Sequence, residues 1–183
     1  MFRPSLEHAL FASSDQAETI RQWFAIHTRA KHEKKVASEL ERKGVTAFVP
    51  TISRVRQWSD RRKILNSALF SCYAFVHTNR SPQIHYSVLQ TPGVLRWVSF
   101  GGGPCAIPNA QIDAVKRLVE SQVGCTQYPF LKSGQRVRIR GGCLEGLECI
   151  LVSEPQELKL VFSIEPIQRS LSISAGDYAL EPV

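Results

Sequence analysis

Residues 54–63, RVRQWSDRRK, set five cations, Arg54, Arg56, Arg61, Arg62 and Lys63, around a single tryptophan, Trp58. Guanidinium and ammonium groups at that density attract phosphate oxygens, and an indole among them offers a flat face on which an exposed base can stack. A tryptophan in a cationic stretch without apolar periodicity has little to do for a core, so the pattern points to contact with nucleic acid or its machinery. A second basic group, Arg29, Lys31 and Lys34, precedes it, with His32 as a weaker candidate in the same run. The neighbouring stretch has the opposite character. ALFSCYAFV, residues 68–76, is almost wholly apolar and carries Phe70, Tyr73 and Phe75. Read as one strand, it is apolar on both faces; one face serves a core and the other needs a partner.

The charge distribution supports that division. The chain of 183 residues has a net charge of +7, but residues 1–129 hold 17 Lys and Arg against 9 Asp and Glu, whereas residues 130–183 hold 6 against 7. The cationic footprint therefore belongs to the first part, at +8, and the remainder stands at −1. No Ser-His-Asp set or paired catalytic carboxylates are evident. Gly101–Gly103 lacks the spacing and context of a phosphate-binding loop and reads as a turn, so no enzyme is expected. The five cysteines include no CxxC pair and the histidines no zinc-ligand spacing, which predicts buried thiols in a reducing compartment and neither metal nor cofactor. No apolar run reaches the ~20 residues of a membrane span and the first residues fail as a signal peptide, so a soluble, cytoplasmic protein without membrane contact is expected.

The elements that must position these residues can be read from periodicity. Residues 1–21 read as a flexible extension. A strand over Trp23–Thr28, with Phe24 and Ile26 on one face, leads to a helix from about Ala30 to Lys43 with Val36, Ala37 and Leu40 as its stripe and Gly44 as its stop. A strand over 45–50, a long loop or hairpin over 53–66, and the strand LFSCYAFV come next. Ser81-Pro82 caps a short helix containing Ile84, Val88 and Leu89; a strand over 94–100 precedes a helix begun by Pro108-Asn109, with Ile112, Val115, Leu118 and Val119 in its stripe. The order is β-α-β-β-α-β-α, an α+β fold with helices packed on a mostly antiparallel sheet over residues 22–122. Residues 123–131 read as a linker. Residues 132–183 alternate as short strands, notably Leu158, Leu160, Phe162 and Ile164, which suggests a small five-stranded barrel.

Three stretches, WFAIHTRAKHEKKVASEL, ALFSCYAFV and TPGVLRWVSFGGGPCAIPNAQID, resemble the N-terminal domain of the NusG family of transcription elongation factors, especially specialised paralogues of the RfaH kind. SGQRVRIRGGCLEGLECILV, followed by KLVFSIEPIQRSLSISAGDYALEPV, resembles the SH3-like KOW barrel joined to that domain. The resemblance implies a monomeric strap on RNA polymerase: the N-terminal domain seats on the clamp helices through Leu69, Phe70, Tyr73 and Trp97, bridges the cleft and favours processive elongation, with antitermination at particular operons as its effect. It also implies that Arg29, Lys31, His32, Arg54, Arg56, Trp58, Arg61, Arg62 and Lys63 face the non-template DNA strand. The KOW turn, with Gly142, Leu144, Gly146 and Leu147, would meet the termination factor Rho or a ribosomal small-subunit protein.

The family pattern is not matched throughout. Its usual Pro-Leu-Phe-Pro-Gly-Tyr segment is ALFSCY here, with Ala68, Ser71 and Cys72 in place of two prolines and a glycine, which removes backbone restriction. Cys149 stands where KOW motifs carry a glycine, and Cys143-Leu144 replaces the usual Pro-Phe, weakening the carry-over to Rho or the ribosomal protein. The strict alternation in 158–164 favours a constant barrel over refolding to a helical hairpin. An RNA-binding, ribosome-associated KOW protein is the alternative; it predicts a basic barrel, against the −1 found.

Overall fold

A computed structural model describes residues 20–57, 62–176 and 178–183; the expected extension 1–21, except for its last two residues, lies outside them. The N-terminal part consists of strand β1 (Gln22–Thr28), helix α1 (Glu33–Arg42), β2 (Thr46–Phe48), β3 (Thr51–Gln57), β4 (Arg62–Ala68), β5 (Tyr73–Thr78), helix α2 (Pro82–Leu89), β6 (Val94–Trp97), β7 (Ser99–Phe100), β8 (Gly103–Pro104), β9 (Ala106–Ile107) and helix α3 (Asn109–Glu120). Its main sheet runs β2-β5-β1-β6, with β9 beside β1, and every pairing is antiparallel. β1 is central, as an apolar strand must be when both its neighbours and both its faces are covered.

Alternation divides β1 between two cores. Phe24 and Ile26 join Ala74, Val76 and Trp97 under Val36 and Leu40 of α1 and Val88 of α2. Trp23 and Ala25 join Phe75 under Ile112, Ala114, Val115 and Leu118 of α3. The helix faces follow the sequence stripes, and α2 starts where Ser81 Oγ accepts the Ile84 N–H at 3.3 Å, with Pro82 in the first turn. Helix α1 starts later than its stripe suggests because Lys31 takes a left-handed φ of 63°. Gly93 closes against α1: with φ 100°, a Cβ there would meet Val36 Cγ2 at 3.0 Å, so only glycine fits without displacement.

Two sequence expectations change here. LFSCYAFV is not one strand. Residues 69–72 form a bend and turn, with Cys72 at φ 67°, and β5 starts at Tyr73. A left-handed residue cannot continue a pleated strand, so the alternation restarts after it. The cationic stretch, expected as a loop or hairpin, is a hairpin of β3 and β4 that places Arg56 opposite Lys63 and Gln57 opposite Arg62.

The C-terminal part contains β10 (Thr126–Tyr128), β11 (Gln135–Arg140), β12 (Glu148–Ser153), β13 (Leu158–Ile164), β14 (Arg169–Ser174) and β15 (Ala179–Pro182). They form one antiparallel sheet in the order β10-β14-β13-β12-β11-β15. Instead of five strands there are six, and no pairing closes them into a barrel among the described residues. The physical reason is visible at β14: its second edge is taken by β10, from the stretch read as linker, through the Thr126↔Ser172 to Tyr128↔Ser170 register. Val137, Ile139, Leu160, Phe162, Ile164, Leu171 and Ile173 are buried, and they are continuous with the α3 side of the first sheet in one apolar cluster. No described helix is long and apolar enough to cross a membrane.

Candidate interaction surface

The turn before β5 is held from three sides. The Leu69 N–H donates to the Pro50 carbonyl at 2.8 Å, and the Cys72 N–H donates to Glu33 Oε1 at 2.7 Å. Glu33, only 6% exposed, thus connects the start of α1 to the left-handed Cys72, a role its type and position did not announce. From the third side comes the linker: Gln127 Nε2 donates to the Leu69 carbonyl at 2.6 Å.

This support brings Leu69, Phe70 and Tyr73 together. Phe70 meets Phe75 edge-on at 5.9 Å, and the half-buried Tyr73 meets His27 edge-on at 5.2 Å. Leu69 and Phe70 are each only 2% exposed, inside the cluster shared with the C-terminal sheet. Further ties cross between the two parts. Arg117 donates to the Cys143 carbonyl at 2.8 Å, and the Glu165 N–H donates to Gln111 Oε1 at 3.3 Å. The apolar turn is thus buried in a cluster that continues into the chain's own C-terminal half.

Trp97 does not join this group, and its grouping with Phe70 is corrected. It pairs with Ile26 across β1 and β6, so alternation turns it toward α2. There its ring stacks on His85 at 5.1 Å, meets Phe24 edge-on at 5.9 Å, and its Nε1–H donates to the His85 carbonyl at 3.4 Å.

Among the cations, Arg29 and Lys31 are exposed at the β1–α1 connection, and His32 Nδ1 bonds the Ala30 carbonyl at 3.0 Å. Lys34 Nζ donates to the Asn66 carbonyl at 3.0 Å, which fastens this basic group to the base of the β3–β4 hairpin. Arg54 and Arg56 lie on β3, and Arg62 and Lys63 on β4; Trp58 and Arg61 lie outside the described residues. One member of the first basic group, Lys34, therefore reaches the strand pair that carries the second.

In the turn between β11 and β12, Leu144 and Leu147 are buried in the core, leaving Gly142 and Gly146 exposed. Cys149 is buried on β12 and donates weakly to the Val137 carbonyl; desolvation pushes its thiol up to about 12, so it is a packing group at neutral pH. Cross-strand pairs neutralise two arginines of β11, Arg138 with Glu148 and Arg140 with Glu181. At the linker, Tyr128 donates to Glu154, which also accepts from Lys159; these bonds, Lys159 first, hold the Glu154 carboxyl below its ordinary range. No group of three potential metal ligands occurs among the described residues.

The fold and its surfaces define a two-part chain: a helix-flanked antiparallel sheet carrying a cationic hairpin, joined through a paired linker strand to an all-β sheet. Residues 21–116, just over half of the chain, match the family described as "Transcription termination factor nusG", and the chain belongs to the NusG family. It is similar to the transcription termination/antitermination proteins NusG of Staphylococcus carnosus and Staphylococcus aureus, each 25% identical over 134 residues, which cover 67% of this chain and 73% of the relative. A solved structure described as "Domain interaction in Thermotoga maritima NusG" aligns over 86% of this chain and 94% of its own at 22% identity, with a TM-score of 0.49.

Proposed function

We propose that this chain is a transcription elongation and antitermination factor that binds RNA polymerase, and that Leu69, Phe70 and Tyr73 form the seat for the clamp helices. The observation that carries this reading is a turn with two large, buried apolar side chains. It is braced by Glu33 and Gln127 and sealed by a part of the chain distant in sequence. An amphipathic helix laid in an apolar groove is a partner that could replace that seal.

The basic neighbourhood supplies the second contact. The register sets Arg56 opposite Lys63, and like charges across a strand pair repel unless an anion intervenes. In this reading the hairpin and Arg29, Lys31 and Lys34 lie along the phosphates of the non-template strand, and the factor favours the closed, elongating polymerase at specific operons. The effect on that equilibrium equals the difference in affinity for the two states.

The C-terminal part is read as the SH3-like KOW module recruiting a second protein, Rho or a ribosomal small-subunit protein, through the Gly142–Leu147 turn. Its paired arginines and near-neutral charge favour a protein partner over RNA. While it covers Leu69 and Phe70 it also competes with polymerase, so the apparent affinity is the intrinsic one reduced by the uncovered fraction.

The test is titration of the full chain onto core RNA polymerase, with isolated clamp helices as competitor. Saturable binding lost to the competitor is expected, and the double variant Phe70→Ala with Tyr73→Ala should abolish it. Undiminished affinity in that variant removes the seat from the proposal. Reversing Lys63 and Arg62 to glutamate should flatten the salt dependence of binding to elongation complexes.

A further inference from the structure

The contact between α3 and the C-terminal sheet is not filled throughout. Along it runs a cleft of about 530 Å³, with one wall from Ala114, Val115 and Arg117 of α3 and the other from Arg136, Ile150 and Phe162 of the C-terminal part. Protein interiors pack almost without voids, so a gap of this size between two apolar walls is a site in the size range of ligand pockets.

Its charges can be counted by partner. Six charged side chains line it. Asp113 faces Lys116 at 3.7 Å, Glu148 is paired with Arg138, and Arg117 donates to the Cys143 carbonyl. Four remain without an ion pair among the described residues: Arg117, Lys132 and Arg136 against Glu165. Lys132, Arg136 and Glu165 are exposed and Arg117 half-buried, whereas Ala114, Val115 and Phe162 are buried. The cleft thus has an apolar floor and cations that outnumber its one unpaired carboxylate.

We propose that this cleft binds an amphipathic anion, a carboxylate or sulfonate head on an apolar body, with the head at Lys132 and Arg136. The proposal rests on the covered arrangement of Leu69 and Phe70, because the walls come from the two parts of the chain. A ligand touching both walls exists only in the covered form. It therefore stabilises that form and weakens polymerase binding by the same factor; at a hundred times its dissociation constant the shift is about 100-fold.

The experiment uses the full chain and anilinonaphthalene sulfonate, an aromatic monoanion whose fluorescence rises on transfer to an apolar site. Decanoate serves as competitor, and exchange of the Glu165 amide, which bonds Gln111 across the contact, reports closure. Expected are one saturable site displaced by decanoate, at least tenfold weaker binding in the double variant Lys132→Glu with Arg136→Glu, and slower Glu165 exchange with probe bound. Lys132→Arg with Arg136→Lys should retain binding. A protected Glu165 amide without saturable fluorescence, or affinity unmoved by the charge reversal, overturns the cleft as an anion site and leaves the covered arrangement standing. An unprotected Glu165 amide in the chain alone overturns the covered arrangement and the cleft with it.

Discussion

The two faces of the first sheet are covered by different means. Phe24, Ile26 and Trp97 lie under α1 and α2, which are neighbours of β1, β5 and β6 in the chain. Trp23, Phe75, Leu69 and Phe70 lie in a cluster completed by residues up to Ala175. The first cover cannot leave without unfolding the domain. The second shares its sheet contacts with a separate set of strands, and besides apolar packing, single hydrogen bonds such as Gln127 to Leu69 tie the two parts together among the described residues. One face is built as a core and the other as an interface that carries a core's composition.

That contrast can be broken most severely on the helix-covered face. Phe24→Ala should cost about 3–5 kcal/mol of stability, seen as an earlier denaturant midpoint, since the cavity lies where nothing can collapse into it. Gly93→Ala comes next: its Cβ would press on Val36 from a left-handed backbone, for an expected loss of about 1–3 kcal/mol by the same measurement. On the interface face the expected effect is on binding. Gln127→Ala removes the bond to the Leu69 carbonyl, about 0.5–1.5 kcal/mol, and should tighten polymerase binding about twofold to tenfold in titration while leaving the unfolding midpoint nearly unchanged. Equal effects of Phe24→Ala and Gln127→Ala on both readouts would dissolve the distinction between the faces.

The smallest effect is a pH dependence at the linker. Glu154 has its carboxyl lowered by Lys159 and Tyr128, so its contribution is complete above the ordinary carboxylate range and fades as pH falls through the lowered value. Amide exchange in β10 should accelerate with acid before global unfolding begins. Glu154→Gln should remove that early acid phase.

Much of the first part was legible from residue order because its signals are local. The Val36 and Leu40 stripe, the Ser81-Pro82 cap and the Ile112, Val115 and Leu118 stripe all correspond to observed helices with those side chains buried. The candidate surface was legible in type and less so in shape. Consecutive apolar residues announced that 68–76 needed two partners, but the left-handed Cys72 is stabilised by Glu33, 39 residues away, and no periodicity reports such a bond. Trp97 was grouped with Phe70 by the family resemblance, whereas strand register turned it to the other side of the sheet. The linker's Thr126–Tyr128 carried no alternation long enough to mark a strand and became one only because β14 had an open edge.

Residue order alone therefore established the cationic stretch, the apolar segment beside it, the charge division near residue 130 and the family these motifs resemble. Such properties depend on side-chain type and short-range spacing, and they survive whatever the chain does at long range. Tertiary structure alone decided that Leu69 and Phe70 share a cluster with the C-terminal part, that Lys34 reaches the β3–β4 hairpin, and that a cleft runs between α3 and the C-terminal sheet. These depend on pairings between residues tens of positions apart, where the entropy of closure is offset by burial of surfaces that recognise each other only once both are formed.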